Sequence, residues 1–77
     1  MILDVLLLDP HRVIFKGKAR SVILPGEKGV FEILPYHKSI VSRLISGNLF
    51  IDEKNYKIKR GIVGVYNNEV KIIIEEI

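Results

Sequence analysis

Hydrophobic and polar residues alternate along most of the chain with a period of two. Near the start, Leu3 and Val5 fall on one face of an extended chain and Asp4 falls on the other. Later, Tyr56 and Ile58 alternate with lysines in the same way. This period is typical of half-buried β-strands. It predicts strands at residues 3–7, 13–16, 20–24, 30–34, 49–52, 56–59, 62–66 and 70–74.

Turn-forming residues separate these segments at short and even intervals. The predicted turns are Asp9-Pro10, Lys16-Gly17, Pro25-Gly26 through Gly29, Ser46-Gly47-Asn48, Asp52 through Asn55, and Asn67-Asn68. Gly26 and Gly29 of the third turn, and the Asn67-Asn68 pair, predict backbone with positive φ. Many short strands joined in this way predict an all-β fold, a flattened two-sheet sandwich or barrel of about eight to ten mostly antiparallel strands.

Residues 39–45 are compatible with two structures. Ile40, Val41, Leu44 and Ile45 lie at helical spacing, and Ser39 could cap a helix. A helix of two turns is only marginally stable without strong packing. Because strands surround this segment, a strand is favoured over a helix here.

The chain has 77 residues and no cysteine, which predicts a single domain over residues 1–77 without disulfides. The two histidines, His11 and His37, do not suffice for a zinc site. A core of this size supplies little stability by itself, so we expect a protein partner to add to it. No stretch approaches the ~20 apolar residues that cross a bilayer, and no signal peptide is visible, which predicts no direct insertion into a membrane.

The motifs that resemble catalytic sites do not have the residue spacing that those sites require. Gly26-Glu27-Lys28-Gly29 has too few residues between its glycines for a phosphate-binding loop and reads as a hairpin turn. His37 has no nucleophile or acid at a spacing typical of a catalytic triad. No pair of carboxylates stands out as an acid/base couple. The sequence therefore predicts a protein without enzymatic activity, metal or cofactor.

The net charge of +3 leaves nucleic-acid binding open. Basic residues cluster at Arg12 to Arg20 and again at Lys57, Lys59 and Arg60. Single-strand binding also needs exposed aromatic rings for base stacking. The strand aromatics are predicted to pack in the core instead; they are Phe15, Phe31, Phe50, Tyr56 and Tyr66. A small barrel of the OB type that binds nucleic acid is kept as the alternative function.

One family resemblance covers nearly the whole chain in order. The segment from Pro25 to His37, read as a Gly-x-x-Gly turn, a short apolar strand and Leu-Pro-x-His, resembles the signature of the epsilon subunit of F-type ATP synthases. The opening Leu3-Asp4-Val5 resembles the start of that family. The segment from Arg60 to Ile74 resembles its last hairpin.

The resemblance implies a function in the central stalk. The subunit would clamp the gamma subunit to the c-ring, so that ion flow is coupled to ATP synthesis, and it would be a peripheral membrane protein on the cytoplasmic face of the inner (plasma) membrane. Carried over by position, the residues expected to contact gamma are Leu7, His37 and Ser42. Those expected to contact the c-ring are Glu27, Lys28 and Val30.

The chain departs from the family pattern at several positions. Glu32 replaces a small glycine, Lys38-Ser39 replaces Ala-Pro, and Lys59-Arg60 replaces Ser-Gly. The turn at residues 52–55 is also shorter than usual. The sequence ends at Ile77, before the helical hairpin of most members, so we expect a short form without the C-terminal helical domain, an inhibitory arm or an ATP site.

Overall fold

A computed structural model describes residues 2–77, which form eight strands and no helix. The strands are β1 (Leu3–Leu8), β2 (Val13–Ala19), β3 (Val22–Gly26), β4 (Gly29–Ile33), β5 (Ile40–Leu44), β6 (Gly47–Ile51), β7 (Lys54–Tyr66) and β8 (Glu69–Glu76). The all-β prediction is confirmed. The ambiguous segment at 39–45 is also a strand, β5, as the sequence favoured. Residues 2–77 contain no helix long and apolar enough to cross a membrane.

The strands form two layers that share the long strand β7. The C-terminal half of β7 lies between β5 and β8, which continues the sheet through β1 to β2. The N-terminal half of β7 pairs with β6, which continues through β3 to β4. We call these the β5–β2 layer and the β6–β4 layer. Within residues 2–77, every pairing is antiparallel except that of β1 with β8.

One aliphatic core fills the space between the layers. Its fully or nearly fully buried side chains are Leu3, Val5, Leu7, Ala19, Val22, Leu24, Ile33, Leu44, Leu49, Ile51, Ile58, Val63, Val65, Val70, Ile72 and Ile74. No polar or charged side chain among residues 2–77 is buried. Burial of aliphatic side chains is therefore the main force that holds the sandwich together.

A bulge in β7 explains how one strand serves both layers. The sequence predicted separate strands at 56–59 and 62–66, but β7 runs without a break through both. Ile58 and Val63 both point into the core although an odd number of positions separates them. The register between β7 and β8 shifts between Ile58 and Arg60, where β7 has one residue more than β8. Because of this additional residue, Val63 points into the core as Ile58 does. A bulge also increases the local twist, which lets β7 pass from one layer to the other.

Several local predictions were wrong. Lys16-Gly17 is not a turn, because both residues lie inside β2 and Gly17 pairs with Val5. A Cβ at Gly17 would lie 3.2 Å from the Phe15 ring, so the glycine leaves room for that ring to cover the core. Two of the aromatic residues predicted for the core do not pack there. Tyr66 points outward from β7 and is 67% exposed, and the half-buried Phe50 faces outward between the buried Leu49 and Ile51 of β6.

Candidate functional site

The loop between β4 and β5 carries His37 and is held by two hydrogen bonds. The backbone N–H of His37 donates to the carbonyl oxygen of Leu34 at 3.1 Å. The N–H of Tyr36 donates to Oδ1 of Asn68 at 2.6 Å. His37 itself is half-buried, and its Nδ1 lies 2.7 Å from the carbonyl oxygen of Lys38. The backbone that carries the imidazole is therefore held at one end of the sandwich.

Positive backbone φ angles concentrate at this end. Tyr36 has φ of 67°, and Asn67 and Asn68, in the hairpin between β7 and β8, have φ of 48° and 63°. The prediction for the asparagine pair is confirmed. Non-glycine residues rarely adopt this conformation, and such residues often cluster at functional sites. A depression of about 480 Å³ lies between the loop and the hairpin, lined by Tyr36, His37, Lys38, Ser39, Asn67 and Asn68.

Leu7 and Ser42 share one inward-facing row of the β5–β2 layer. Leu7 pairs with Ile72, which pairs with Val63, which pairs with Ser42. Leu7 is fully buried in the core and presents no surface to a partner. Ser42 lies on the outermost strand of this row and is half-buried, and its hydroxyl donates to the Arg43 carbonyl at 3.3 Å. Of this pair, only Ser42 is accessible.

The turn between β3 and β4 presents Glu27, Lys28 and Val30. Glu27 and Lys28 are exposed, and Val30 is 74% exposed. Only the second glycine of the turn has positive φ, since Gly29 lies at 124° and Gly26 does not. Gly26 is needed for space instead, because a Cβ there would come within 2.7 Å of the Phe31 ring.

The β3–β4 turn lies beside the strand that carries Ser42. Gly26 pairs with Leu44 of β5, and the N–H of Ile45 donates to the Pro25 carbonyl at 2.9 Å. This contact connects the turn to β5. Of the residues predicted to contact gamma, Ser42 therefore lies on the strand that the turn contacts, whereas His37 precedes the opposite end of that strand.

Asn68 was seen in the sequence only as a turn residue. Its side-chain Oδ1 accepts a hydrogen bond from the Tyr36 N–H. Its backbone carbonyl oxygen accepts a hydrogen bond from the Asp4 N–H at 2.8 Å. Asn68 thus joins the His37 loop, the β7–β8 hairpin and β1. No signal in the sequence pairs Asn68 with Tyr36, because the two are far apart along the chain.

Several of the residues considered for nucleic-acid binding make other contacts in the fold. Arg60 is engaged with Glu75, with 3.7 Å between Nε and Oε2. Tyr56 and Phe15 pack against the core, and the Lys54 ammonium sits 5.2 Å from the centre of the Phe15 ring. Lys57 and Lys59 are exposed, and the half-buried Phe50 lies on the same outward face as Lys57, one strand away.

Sequence comparisons identify relatives over almost the entire chain. Residues 2–77 match the family described as ATP synthase, Delta/Epsilon chain, beta-sandwich domain. The chain is 34% identical over 77 residues to the ATP synthase epsilon chain of Leptospira borgpetersenii, with 95% of this chain and 61% of that relative covered. It is 34% identical over 74 residues to the ATP synthase epsilon chain of Sulfurimonas denitrificans, with 90% and 57% covered. The chain thus spans only 57–61% of the length of these two relatives.

Solved structures share the fold at low sequence identity. A chain in the cryo-EM structure of the Euglena gracilis mitochondrial ATP synthase, OSCP/F1/c-ring, superposes with a TM-score of 0.90 at 20% identity, covering 97% of this chain and 51% of that chain. A chain in the central stalk/c-ring structure of the Tetrahymena thermophila mitochondrial ATP synthase gives 0.79 at 16% identity, covering 96% and 63%. The matches do not favour the nucleic-acid alternative.

Proposed function

Because the chain belongs to the family of ATP synthase delta/epsilon chain β-sandwich domains, we propose that it is a non-catalytic central-stalk subunit of a rotary ATP synthase. The family match over residues 2–77 carries this proposal. The sandwich, with no helix among these residues, agrees with it. The subunit acts by binding two partners and transmitting torque between them. It resides at the cytoplasmic face of the membrane as part of the complex.

The gamma subunit binds at the end of the sandwich that presents His37, next to the edge strand that carries Ser42. Both side chains are accessible, and the His37 loop is fixed by hydrogen bonds to Asn68 and Leu34. A surface ordered in advance loses less entropy on binding. Leu7 contributes by supporting this layer from inside the core, because it has no exposed surface.

The c-ring binds at the β3–β4 turn through Glu27, Lys28 and Val30. This turn offers two exposed charges and an apolar side chain that is 74% exposed. Loops held on a rigid sheet commonly carry recognition. Since Gly26 connects the turn to β5, a load applied at the ring passes through the sheet to the gamma contact.

Co-purification with the gamma subunit of the same organism tests the first contact. We expect His37→Glu to weaken gamma binding by about tenfold or more, equivalent to ~1.4 kcal/mol. The matched control is His11→Glu, which changes the other histidine, an exposed residue of the β1–β2 loop. Circular dichroism checks that both variants stay folded. Equal gamma affinity of the two variants and the unchanged chain would refute the contact.

The ring contact is tested separately with reconstituted complexes. Lys28→Glu and Lys57→Glu make the same charge change, at the β3–β4 turn and on the outside of β7 respectively. We expect only Lys28→Glu to reduce the coupling of ion flow to ATP synthesis. Equal coupling in both variants would remove the β3–β4 turn from the interface without affecting the proposed gamma contact.

A further inference from the structure

The hydrogen bond of the His37 ring determines which ring nitrogen carries the proton. Nδ1 of His37 lies 2.7 Å from the backbone carbonyl oxygen of Lys38. A carbonyl oxygen has lone pairs but no hydrogen, so Nδ1 must be the donor in this bond. In the neutral imidazole the other nitrogen, Nε2, then has no hydrogen and acts as an acceptor.

No donor among residues 2–77 reaches Nε2 of His37. The nearest backbone donors of the loop are already used, since the Tyr36 N–H donates to Asn68 and the His37 N–H donates to Leu34. The His37 side chain is half-buried and lines the depression of about 480 Å³ between its loop and the β7–β8 hairpin. The chain thus presents an acceptor there for a donor from outside.

The charge around this depression is positive. Of the residues that line it, all within the described part of the chain, Lys38 carries the only formal charge, and Tyr36 adds a phenol. Lys38 makes no ion pair within residues 2–77. Glu69, the first residue of β8, lines other depressions, and the Asp4 carboxylate is held by Lys18 at 2.6 Å. An incoming cation would therefore be repelled by Lys38 and would meet no carboxylate lining the depression.

We propose that the gamma subunit places an uncharged hydrogen-bond donor against Nε2 of His37, and that protonation of His37 weakens the complex. This inference rests on the function proposed above and names the chemical group that the site accepts. An imidazolium has a hydrogen on both nitrogens and cannot accept a hydrogen bond. It also places a second positive charge next to Lys38 in a depression that no carboxylate lines.

The direction of the pH dependence identifies the partner group. Histidine is the side chain that changes charge between pH 5 and 8. Because the complex selects neutral His37, its affinity is highest at neutral pH and falls as the pH falls. A carboxylate of gamma would give the opposite result, since Lys38 and an imidazolium would both attract it and acid would tighten the complex.

The tautomer is tested first in the chain alone, without gamma. NMR of the chain with ¹⁵N-labelled histidine distinguishes the two ring nitrogens. We expect the neutral His37 ring to carry its hydrogen on Nδ1. A hydrogen on Nε2 would overturn the proposal whether or not gamma binds at this loop, so this result is independent of the proposed function.

The affinity for gamma is then measured at about pH 7.5 and about pH 5.5, and we expect the unchanged chain to lose about tenfold on acidification. In His37→Gln the side-chain oxygen reaches the position of Nε2 and does not titrate, so this variant should bind about equally well at both pH values. In His37→Asn the shorter side chain reaches only the position of Nδ1, and binding should be weak at both. The matched control His11→Gln should keep the full pH dependence.

The outcomes separate this inference from the function on which it rests. Affinity that acid leaves unchanged or raises would overturn the uncharged donor, even if His37→Asn binds weakly and so supports the gamma contact. A pH dependence that persists in His37→Gln would overturn it as well, because the titrating group would then lie elsewhere. If neither His37 variant changes the affinity at either pH, the gamma contact itself is refuted, and this inference with it.

Discussion

The backbone N–H of Tyr36 donates a hydrogen bond of 2.6 Å to Asn68 Oδ1, which ties the loop carrying His37 to the β7–β8 hairpin. The residues at both ends of this bond have positive φ, 67° for Tyr36 and 63° for Asn68. For Tyr36 this conformation must be stabilised by its neighbourhood, whereas asparagine adopts it readily in a tight turn. The bond makes the position of His37 depend on a residue of another hairpin.

Replacing Asn68 should loosen this loop with a small effect on the whole fold. In Asn68→Gly the turn conformation is retained, because glycine adopts positive φ readily, but the acceptor is lost. We expect amide exchange at Tyr36 to accelerate by about tenfold and the free energy of unfolding to fall by ~1 kcal/mol. Asn68→Asp is the control, since it keeps an oxygen acceptor. Unchanged exchange at Tyr36 in Asn68→Gly would show that the bond does not hold the loop.

Two glycines of β7 should respond in opposite ways to the same substitution. A Cβ at Gly61 would lie 2.6 Å from the Ile73 carbonyl oxygen, whereas one at Gly64 meets nothing within 4 Å. Gly61→Ala should therefore destabilise the protein by about 1–3 kcal/mol through forced backbone movement. Gly64→Ala should be neutral or stabilising by up to ~1 kcal/mol, since alanine is less flexible in the unfolded chain.

Urea unfolding of the two alanine variants measures this difference. Gly61 and Gly64 lie on the same strand and undergo the same chemical change, so each variant controls for the other. Similar free energies of unfolding would contradict the close approach of β8 to β7 at Gly61.

Asp9 should make stability depend on acid pH. Its pKa is lowered chiefly because the backbone N–H of His11 donates to the carboxylate at 2.7 Å, with help from the N–H and guanidinium of Arg12. A carboxyl group with a lowered pKa in the folded state stabilises the fold above its ordinary pKa. This contribution disappears as the pH falls through the ordinary and then the lowered value.

Substitution by asparagine isolates this effect. Asp9→Asn keeps an oxygen acceptor for the turn but does not titrate. We expect the unchanged chain to lose more stability than Asp9→Asn between neutral and strongly acidic pH, as measured by urea unfolding across a pH series. Glu27→Gln serves as the control, because Glu27 makes no ion pair or hydrogen bond within residues 2–77. Parallel stability curves for the Asp9 pair would disprove the role of its carboxylate.

Asp52 connects the β6–β7 turn to the start of β3. Its Oδ1 accepts hydrogen bonds from the N–H groups of Arg20 at 2.9 Å and Ser21 at 3.1 Å, and its φ is 51°. Asp52→Ala loses both bonds and places a less tolerant residue at positive φ, so we expect a loss of about 2 kcal/mol. Asp52→Asn retains the acceptor and should lose less in thermal unfolding. Equal melting temperatures for the two variants would argue against the hydrogen bonds.

The sequence could predict the strands but not every strand boundary. The alternation at Leu3 and Val5 and the turn at Asn67-Asn68 depend only on residues that are neighbours in the chain. The sequence therefore shows both directly. Gly17 was mistaken for a turn residue because its role is to leave room beneath the Phe15 ring. The bulge near Lys59 was not predicted either. The sequence does indicate it, because the apolar residues Ile58 and Val63 are five positions apart, an odd number that a regular strand would place on opposite faces.

The candidate site was predictable only in part. The resemblance in the segment from Pro25 to His37 located the β3–β4 turn and the His37 loop. It could not reveal that Leu7 is enclosed, because burial depends on which strands cover it. The outward apolar residues of β1 and β8 did leave a signal, since the consecutive residues Leu6-Leu7-Leu8 and Ile72-Ile73-Ile74 place apolar side chains on both faces of a strand.

The amino-acid order alone determined the all-β class and the family, because each depends on residue types at short or fixed spacing. The tertiary structure decided which residues meet, such as Tyr36 with Asn68 and Gly26 with Leu44. These contacts join positions far apart along the chain. They follow from the parallel pairing of β1 with β8 and the passage of β7 between layers, which no local pattern specifies.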